Sequence, residues 1–357
     1  MAVDIITHSI AQIDVPLLTT ISFLINHKIY GNVFLSFLFL FALISSKKKA
    51  STLISVFLTV VLFILLKDFY GIGRPCFAIP SKVACPTDYS FPSGHVSIGA
   101  CLTASVVGTV LFIPYLLMLV LISFSRMYLG VHMLNDIVGG IVLGVSVFFV
   151  VDKLFTRLIK KEQNIAYEKD VLGRRLLHIG FGTIVILFIM LSSYLPYGFY
   201  MLEFMLAMFF LIGFIILDAK LKGIQLPIID YLIDKLERPH ALPAEGAFWY
   251  GLGVLLAFSY VGEPIKTAAV ISLLAFGDGL STLIGRKGRI PLPYNKRKTL
   301  EGTAAFLIGG SLSYFFVGPA GILLSLLCAI VETFYFGIDD NFLVPLTCVI
   351  VLRLGII

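Results

Sequence analysis

Apolar runs long enough for membrane helices alternate with short polar breaks along the whole chain. The pattern predicts spans over 31–46, 51–66, 96–112, 113–124 and 137–151. A second set is predicted over 176–193, 198–217, 245–261, 265–280, 302–317, 319–336 and 342–356. The stretch 15–27 is apolar but brief, and suits an interfacial or re-entrant segment. The runs 96–112 and 113–124 join with almost no polar loop, which predicts a helical hairpin turning near Pro114 on the cytoplasmic side. In lipid a span's backbone groups find partners only within their own helix, so the fold class is all-α. The expectation is a polytopic helical membrane protein of about twelve spans in two helical bundles.

Composition narrows this further. Of 357 residues, 59% are hydrophobic and 13% charged, about half the ~25% charged share of a soluble domain, and mean hydropathy is +0.99. A secreted enzyme, a nucleic-acid binder and a disordered chain are excluded. Met1 to Asp14 lacks a basic segment followed by a clean apolar core, so no signal peptide is expected there. Residues 152–175 form a long charged stretch, which predicts a domain over 1–151, a cytoplasmic linker over 152–175 and a second domain over 176–357. The net charge of +6 matters less than its distribution. With Lys47, Lys48 and Lys49 in the cytoplasm, simple alternation places twenty of the 27 Lys and Arg residues on that side, as the positive-inside bias requires. Loops 67–95 and 125–136 then face outward.

Three clusters mark the outward ends of the early spans: Lys67-x6-Arg74-Pro75, Pro92-Ser93-Gly94-His95 and Ser125-Arg126-x5-His132-x3-Asp136. One such cation alone is sufficiently explained by snorkelling. Here three cations gather where Asp136 is the only expected anion, and a phosphate from outside would balance them. Arg forks, a Lys point charge, Ser93 and backbone N–H groups suit its oxygens. His132 and Asp136 are four apart and share a helix face. A carboxylate there would orient the imidazole and leave its other nitrogen free to attack phosphorus, with His95 protonating the departing oxygen.

These clusters resemble the three signature motifs of the type 2 phosphatidic acid phosphatase superfamily, with all eleven specified residues in order. The resemblance covers about residues 20–150. It implies a phosphohistidine on His132, with Asp136 as its partner and His95 as general acid. Lys67, Arg74, Ser93, Gly94 and Arg126 would bind phosphate, and no cofactor is implied. The substrate would be a lipid phosphate or polyprenyl diphosphate.

The second half has neither a P-loop nor a GxGxxG. Its polar residues cluster at the cytoplasmic ends of spans, where solvated loops obeying charge bias account for the lysines. Acids at the membrane boundary, Asp278, Glu301, Glu332 and Asp339, are costly there unless they bind cations or pair. Carboxylates beside a basic, Gly-bearing loop suit Mg²⁺ shared with nucleotide phosphates, with Asp278 and Glu301 as the expected metal ligands. This half resembles the CTP-dependent polyprenol, dolichol and phytol kinases. The likeness rests on Arg174-Arg175-x2-His178, Glu245-Gly246, Gly277-Asp278-Gly279, Gly285-Arg286, Lys298-Thr299-Leu300-Glu301-Gly302, Glu332 and Asp340-Asn341. Arg175, Thr299 and Thr303 depart conservatively from the family pattern. The resemblance implies CTP and Mg²⁺, and leaves transfer of a cytidylyl group open.

Cys76 and Cys85 share the outward loop, where an oxidising exterior would let them pair; two free thiols are the alternative. Together these features predict a multi-pass enzyme of the cell membrane, with an extracytoplasmic phosphatase site and a cytoplasmic kinase-like site. It would trim a polyprenyl (di)phosphate and rephosphorylate the alcohol, with no nucleic-acid partner. The rivals are a phosphatidate-type phosphatase joined to a diacylglycerol kinase-like or cytidylyltransferase domain, and a lipid flippase. A flippase would carry charges at mid-span in paired repeats, which the sequence does not show.

Overall fold

The computed structural model describes residues 3–26, 30–46, 48–159, 171–236 and 243–355. The chain divides into two compact units, Met1–Glu162 and Gln163–Ile357. The first contains α1 (Ile5–Gln12), α2 (Pro16–Asn26), α3 (Tyr30–Ser45), α4 (Lys49–Tyr70), α5 (Gly94–Ser105), α6 (Phe112–Tyr128) and α7 (Leu134–Ile159). The second contains α8 (Val171–Ser192), α9 (Gly198–Leu221), α10 (Pro227–Leu236), α11 (Glu245–Leu256), α12 (Pro264–Ser272), α13 (Gly279–Gly285), α14 (Leu300–Gly310), α15 (Tyr314–Val317), α16 (Pro319–Thr333) and α17 (Asp340–Arg353). Both ends of the predicted linker are helical, because α7 runs on to Ile159 and α8 starts at Val171. Residues 160–170 lie outside the described residues.

Among the described residues, six stretches are long and apolar enough to cross a membrane, or up to seven if the bent pair Ile5–Gln12 and Pro16–Ile25 is one broken span. The protein is an all-α polytopic membrane protein. Several of the expected spans are shorter helices: α5 and α11 have 12 residues each and α17 has 14. The turn between α5 and α6 falls at 106–111, where Gly108 adopts φ 78°. It does not fall at Pro114, which sits in the first turn of α6, where a missing N–H costs nothing.

In the first unit α5 packs chiefly against α7. Glycines allow the approach: a Cβ at Gly140 would lie 2.9 Å from the Ser93 carbonyl oxygen, and one at Gly144 2.1 Å from that of Ser97. Lys48, before α4, pairs with Asp152 on α7. Lys67 and Asp136 lie near the other ends of these helices, so the 22 residues of α4 separate the two ends by ~33 Å. The N-terminal helices brace the active end. Asp4 Oδ2 and Thr7 Oγ1 accept from the Leu134 amide at 3.2 and 3.0 Å, and Tyr128 bonds Val15 and Thr19.

In the second unit, broken helices meet. The apolar stretch Pro264–Gly285 contains a π-helical turn, Leu273–Asp278, which ends on a buried acid; such turns recur at functional sites. α13 and α14 cross at Gly285 and Gly302, where a Cβ on Gly285 would lie 3.0 Å from the Gly302 Cα. These motif glycines serve helix packing, whereas the sequence pattern suggests a nucleotide loop.

Candidate active sites

The first site is built from five chain segments. α4 ends in a left-handed glycine, Gly71, whose amide caps Lys67 O, and so presents Lys67 at the mouth of the 71–93 loop. That loop carries Arg74 and is cross-linked by the Cys76–Cys85 disulfide. α5 opens at Ser93, Arg126 lies in the last turn of α6, and His132 lies in the short link before α7.

His132 is buried between a carboxylate and a guanidinium. Its Nδ1 lies 3.2 Å from Asp136 Oδ2, and its Nε2 lies 3.1 Å from Arg74 Nη1. A guanidinium only donates, so this contact makes Nε2 the bare nitrogen and Nδ1 the donor to Asp136. In that tautomer Nε2 carries no proton, as the nucleophile expected from the motif spacing would require. Asp136 is itself fixed by the Met133 amide at 2.8 Å and the Ser90 hydroxyl at 3.3 Å. Ser93 donates its amide to Asp136 O at 3.0 Å. Its buried hydroxyl has no hydrogen-bond partner among the described residues, which leaves it available to an incoming oxygen.

Asp88 is the residue the sequence reading missed. The expectation was that the cations have no anion but Asp136. Instead Lys67 Nζ pairs with Asp88 Oδ2, and Arg74 Nη2 bonds Asp88 Oδ1 at 2.7 Å. Arg74 Nε also donates to Asp88 O at 2.9 Å. The motif cations thus hold an internal carboxylate, and its side chain is 55% exposed. Burial works to raise the Asp88 carboxyl, but the Lys67 hydrogen bond and the Arg74 charge outweigh it and hold it below the usual range. Asp88→Asn should therefore tighten inhibition by inorganic phosphate by about tenfold, a ~1.4 kcal/mol change. A phosphate inhibition constant unchanged from wild type would show that Asp88 does not compete for the cradle.

His95 feels the same cations. Burial, then Arg126, Lys67 and Arg74, push its imidazole down to about 3, and burial followed by Arg126 and Arg74 holds His132 well below 6.5. As the pH falls, the unfolded chain therefore takes up these protons first. The stability the two histidines contribute is complete above pH 6.5 and is lost as the pH falls below it, for His95 down to about 3. Thermal melts in detergent should show the fall across this window, shallower in His95→Gln. A wild-type midpoint that stays level through it would contradict the assignment.

The second site is built from carboxylates. Arg175 Nη1 donates to Asp278 Oδ2 at 2.5 Å, and His178 Nε2 sits 3.6 Å from the same oxygen while donating to Leu274 O at 2.9 Å. Lys298 pairs with Glu332 and, at 3.0 Å, with Asp340. Burial would lower the Lys298 ammonium, but Asp340 and Glu332 outweigh it and raise it. Ligand atoms of Asp278, Glu332 and Asp340 all lie within 4.8 Å of one another, and buried Asp278 Oδ1 has no hydrogen-bond partner among the described residues. This oxygen-rich set fits a hard divalent cation.

Glu301, expected beside Asp278 as a metal ligand, is not in this set. It accepts from the Arg289 and Ile290 amides, the former at 2.7 Å, and so holds the loop before α14. Thr299 caps α14 by accepting from the Gly302 amide at 3.2 Å. Asn341 follows Asp340 at the start of α17 and donates to Gly246 O at 3.4 Å, near Glu245. Arg174 and Arg175 lie on α8, and Arg286 is exposed at the end of α13.

The first site thus places a buried histidine beside Asp136 and Arg74 on a helical membrane scaffold. Residues 48–160 match the PAP2 superfamily model, and the chain contains a PAP2 domain there. Three curated relatives are similar to parts of the chain. Undecaprenyl-diphosphatase of Sulfolobus acidocaldarius is 36% identical over 23% of this chain and 39% of its own length. Phosphatidylglycerophosphatase B of Bacillus subtilis is 34% identical over 27% and 52%. Farnesol kinase, chloroplastic, of Arabidopsis thaliana is 33% identical over 29% and 40%. The chain spans about half the length, or less, of these relatives.

Proposed function

We propose that the chain is a bifunctional lipid enzyme, with a phosphatase for a polyprenyl (di)phosphate and a CTP-dependent kinase for a polyprenol-type alcohol. The observation that carries this reading is the opposite chemistry of the two sites. One gathers cations around a nucleophilic histidine, and the other gathers carboxylates. The relatives' names, a prenyl diphosphatase and a prenol kinase, are of the same two kinds.

In the first reaction Lys67 and Arg74 exchange Asp88 for the substrate phosphate, Arg126 adds its charge, and the Ser93 hydroxyl takes another oxygen. His132 Nε2 attacks phosphorus as the bond to the lipid oxygen breaks, and His95 delivers the proton to that oxygen. Burial and the cations hold His95 neutral in the free enzyme, and a bound phosphate offsets the cations, so substrate binding favours the acid form. Water then cleaves the phosphohistidine, with His95 taking its proton, and His132 is regenerated. In the second reaction Asp278, Glu332 and Asp340 would hold Mg²⁺, which supplies charge neutralisation at the nucleotide phosphates. Lys298 would exchange a carboxylate for a phosphate oxygen.

The phosphatase site faces outward and the kinase site the cytoplasm, which suits recycling of a lipid carrier. Sealed right-side-out vesicles holding the protein test the whole scheme. Added prenyl diphosphate should release phosphate even in EDTA. Labelled CTP should yield phosphoprenol only after permeabilisation and only without EDTA. Equal EDTA sensitivity, or phosphoprenol formed from outside CTP, would refute the division. Diacylglycerol accepted in place of prenol would favour the glycerolipid reading.

A further inference from the structure

A cavity of about 520 Å³ opens among α8, α9, α10 and α11, and it is not used by the chemistry above. Its volume falls in the ~300–1,000 Å³ range of small-molecule sites. Its walls are hydrocarbon and aromatic, including Phe181, Phe210, Leu217, Ile233 and Val254. Five polar side chains line it: Arg174, Arg175, His178, Tyr250 and Asn341. Tyr250 already directs its hydroxyl to His178 O at 3.4 Å, and its ring stands edge-on to His178. Asn341 is only 8% exposed, and its Oδ1 has no hydrogen-bond partner among the described residues. An unsatisfied buried acceptor is costly, and a ligand O–H would satisfy it. Arg175 and His178 connect this polar end to Asp278, the first carboxylate of the cation set. α10 closes one side, presenting Ile229 and Leu232 to the cavity while Ile228 and Tyr231 are exposed outward, an arrangement that suits a helix lying against lipid.

We propose that this cavity seats the tail of the acceptor alcohol, that Asn341 Oδ1 receives its hydroxyl, and that Gly213 on α9 sets how much chain fits. The assignment rests on the kinase reading. It names a tail of one unesterified hydrocarbon chain, because glycerolipid esters placed below the polar end would be desolvated against apolar walls. Gly213 lines the cavity, and a Cβ added there meets nothing within 4 Å. Gly213 is exposed, so a side chain there displaces no neighbour at its first carbon, and the graded series tests whether it enters the cavity.

The test is a graded series, Gly213→Ala, Gly213→Leu and Gly213→Phe, in the full chain in detergent. A short and a long isoprenoid alcohol serve as acceptors with CTP, and a diazirine-bearing prenol serves as photoprobe without CTP. The ratio of kcat/KM for the long over the short alcohol should fall with side-chain size, by about tenfold or more at Phe. Photolabelling should map to α9 and α11 and fall in the same order. Thermal melts identify any variant that fails to fold, and the smaller substitutions then carry the series. An unchanged ratio in folded variants, labelling elsewhere, or diacylglycerol accepted as well as prenol would overturn the assignment. If wild-type protein phosphorylates no alcohol yet the photoprobe still labels the cavity and Gly213→Phe removes the label, the kinase reading fails and the tail site stands.

Discussion

His132→Ala should reduce phosphate release by at least about a thousandfold, while CTP-dependent phosphorylation of a prenol stays near wild type. The size follows from the role: His132 Nε2 is the nitrogen proposed to attack phosphorus, with Nδ1 held by Asp136, and loss of a nucleophile is a loss of that order. His132 lies in Met1–Glu162, whereas the carboxylate set lies in Gln163–Ile357. Acid-quench trapping should detect a phosphoenzyme in wild type and none in the variant. Turnover persisting in His132→Ala would remove His132 from the nucleophile's place and turn attention to direct attack by water.

The mirror-image result is expected from Asp278→Asn. This change keeps the shape but removes the charge that pairs Arg175 and closes the Asp278, Glu332 and Asp340 set. Prenol phosphorylation should fall at least about a hundredfold, with phosphate release unaltered. Because Arg175 would be left buried without its carboxylate, the second unit should also melt earlier. Arg175→Gln combined with Asp278→Asn separates the two effects: stability should return and activity should not. Phosphorylation within a few-fold of wild type in either variant would remove the metal site from Asp278.

Local order carried the parts of the first site that were legible beforehand. His132 and Asp136 are four residues apart, and their contact needs only one turn across a helix start. Asp88 was hidden because it lies 21 positions from Lys67, beyond the end of α4 on a loop where no periodicity applies. Glu301 illustrates the reverse error. It sits beside Lys298 and Thr299 in sequence, yet the cap at Thr299 turns it back toward the 289–290 amides, and Asp340 arrives from another helix to take the place expected for it. The tail cavity has no sequence signature of its own, since its apolar walls read simply as membrane helix. Membrane class follows from composition alone. The helix breaks at 106–111 and Leu273–Asp278 do not, because β-branched and glycine residues are tolerated in spans and their effect depends on what packs around them.

The brace on the Leu134 amide lies at Asp4 and Thr7, well before residue 48, where the family match begins. A fragment starting at residue 48 would keep every signature side chain and lose what clamps the segment behind His132. Its defect would appear as heterogeneity of the nucleophile's position, visible as broadened histidine resonances and a lower kcat with little change in KM. Inheritance and mechanics therefore draw different borders on this chain. Engineers who transplant the phosphatase by its recognisable stretch would carry over the chemistry but not the stiffness that aims it.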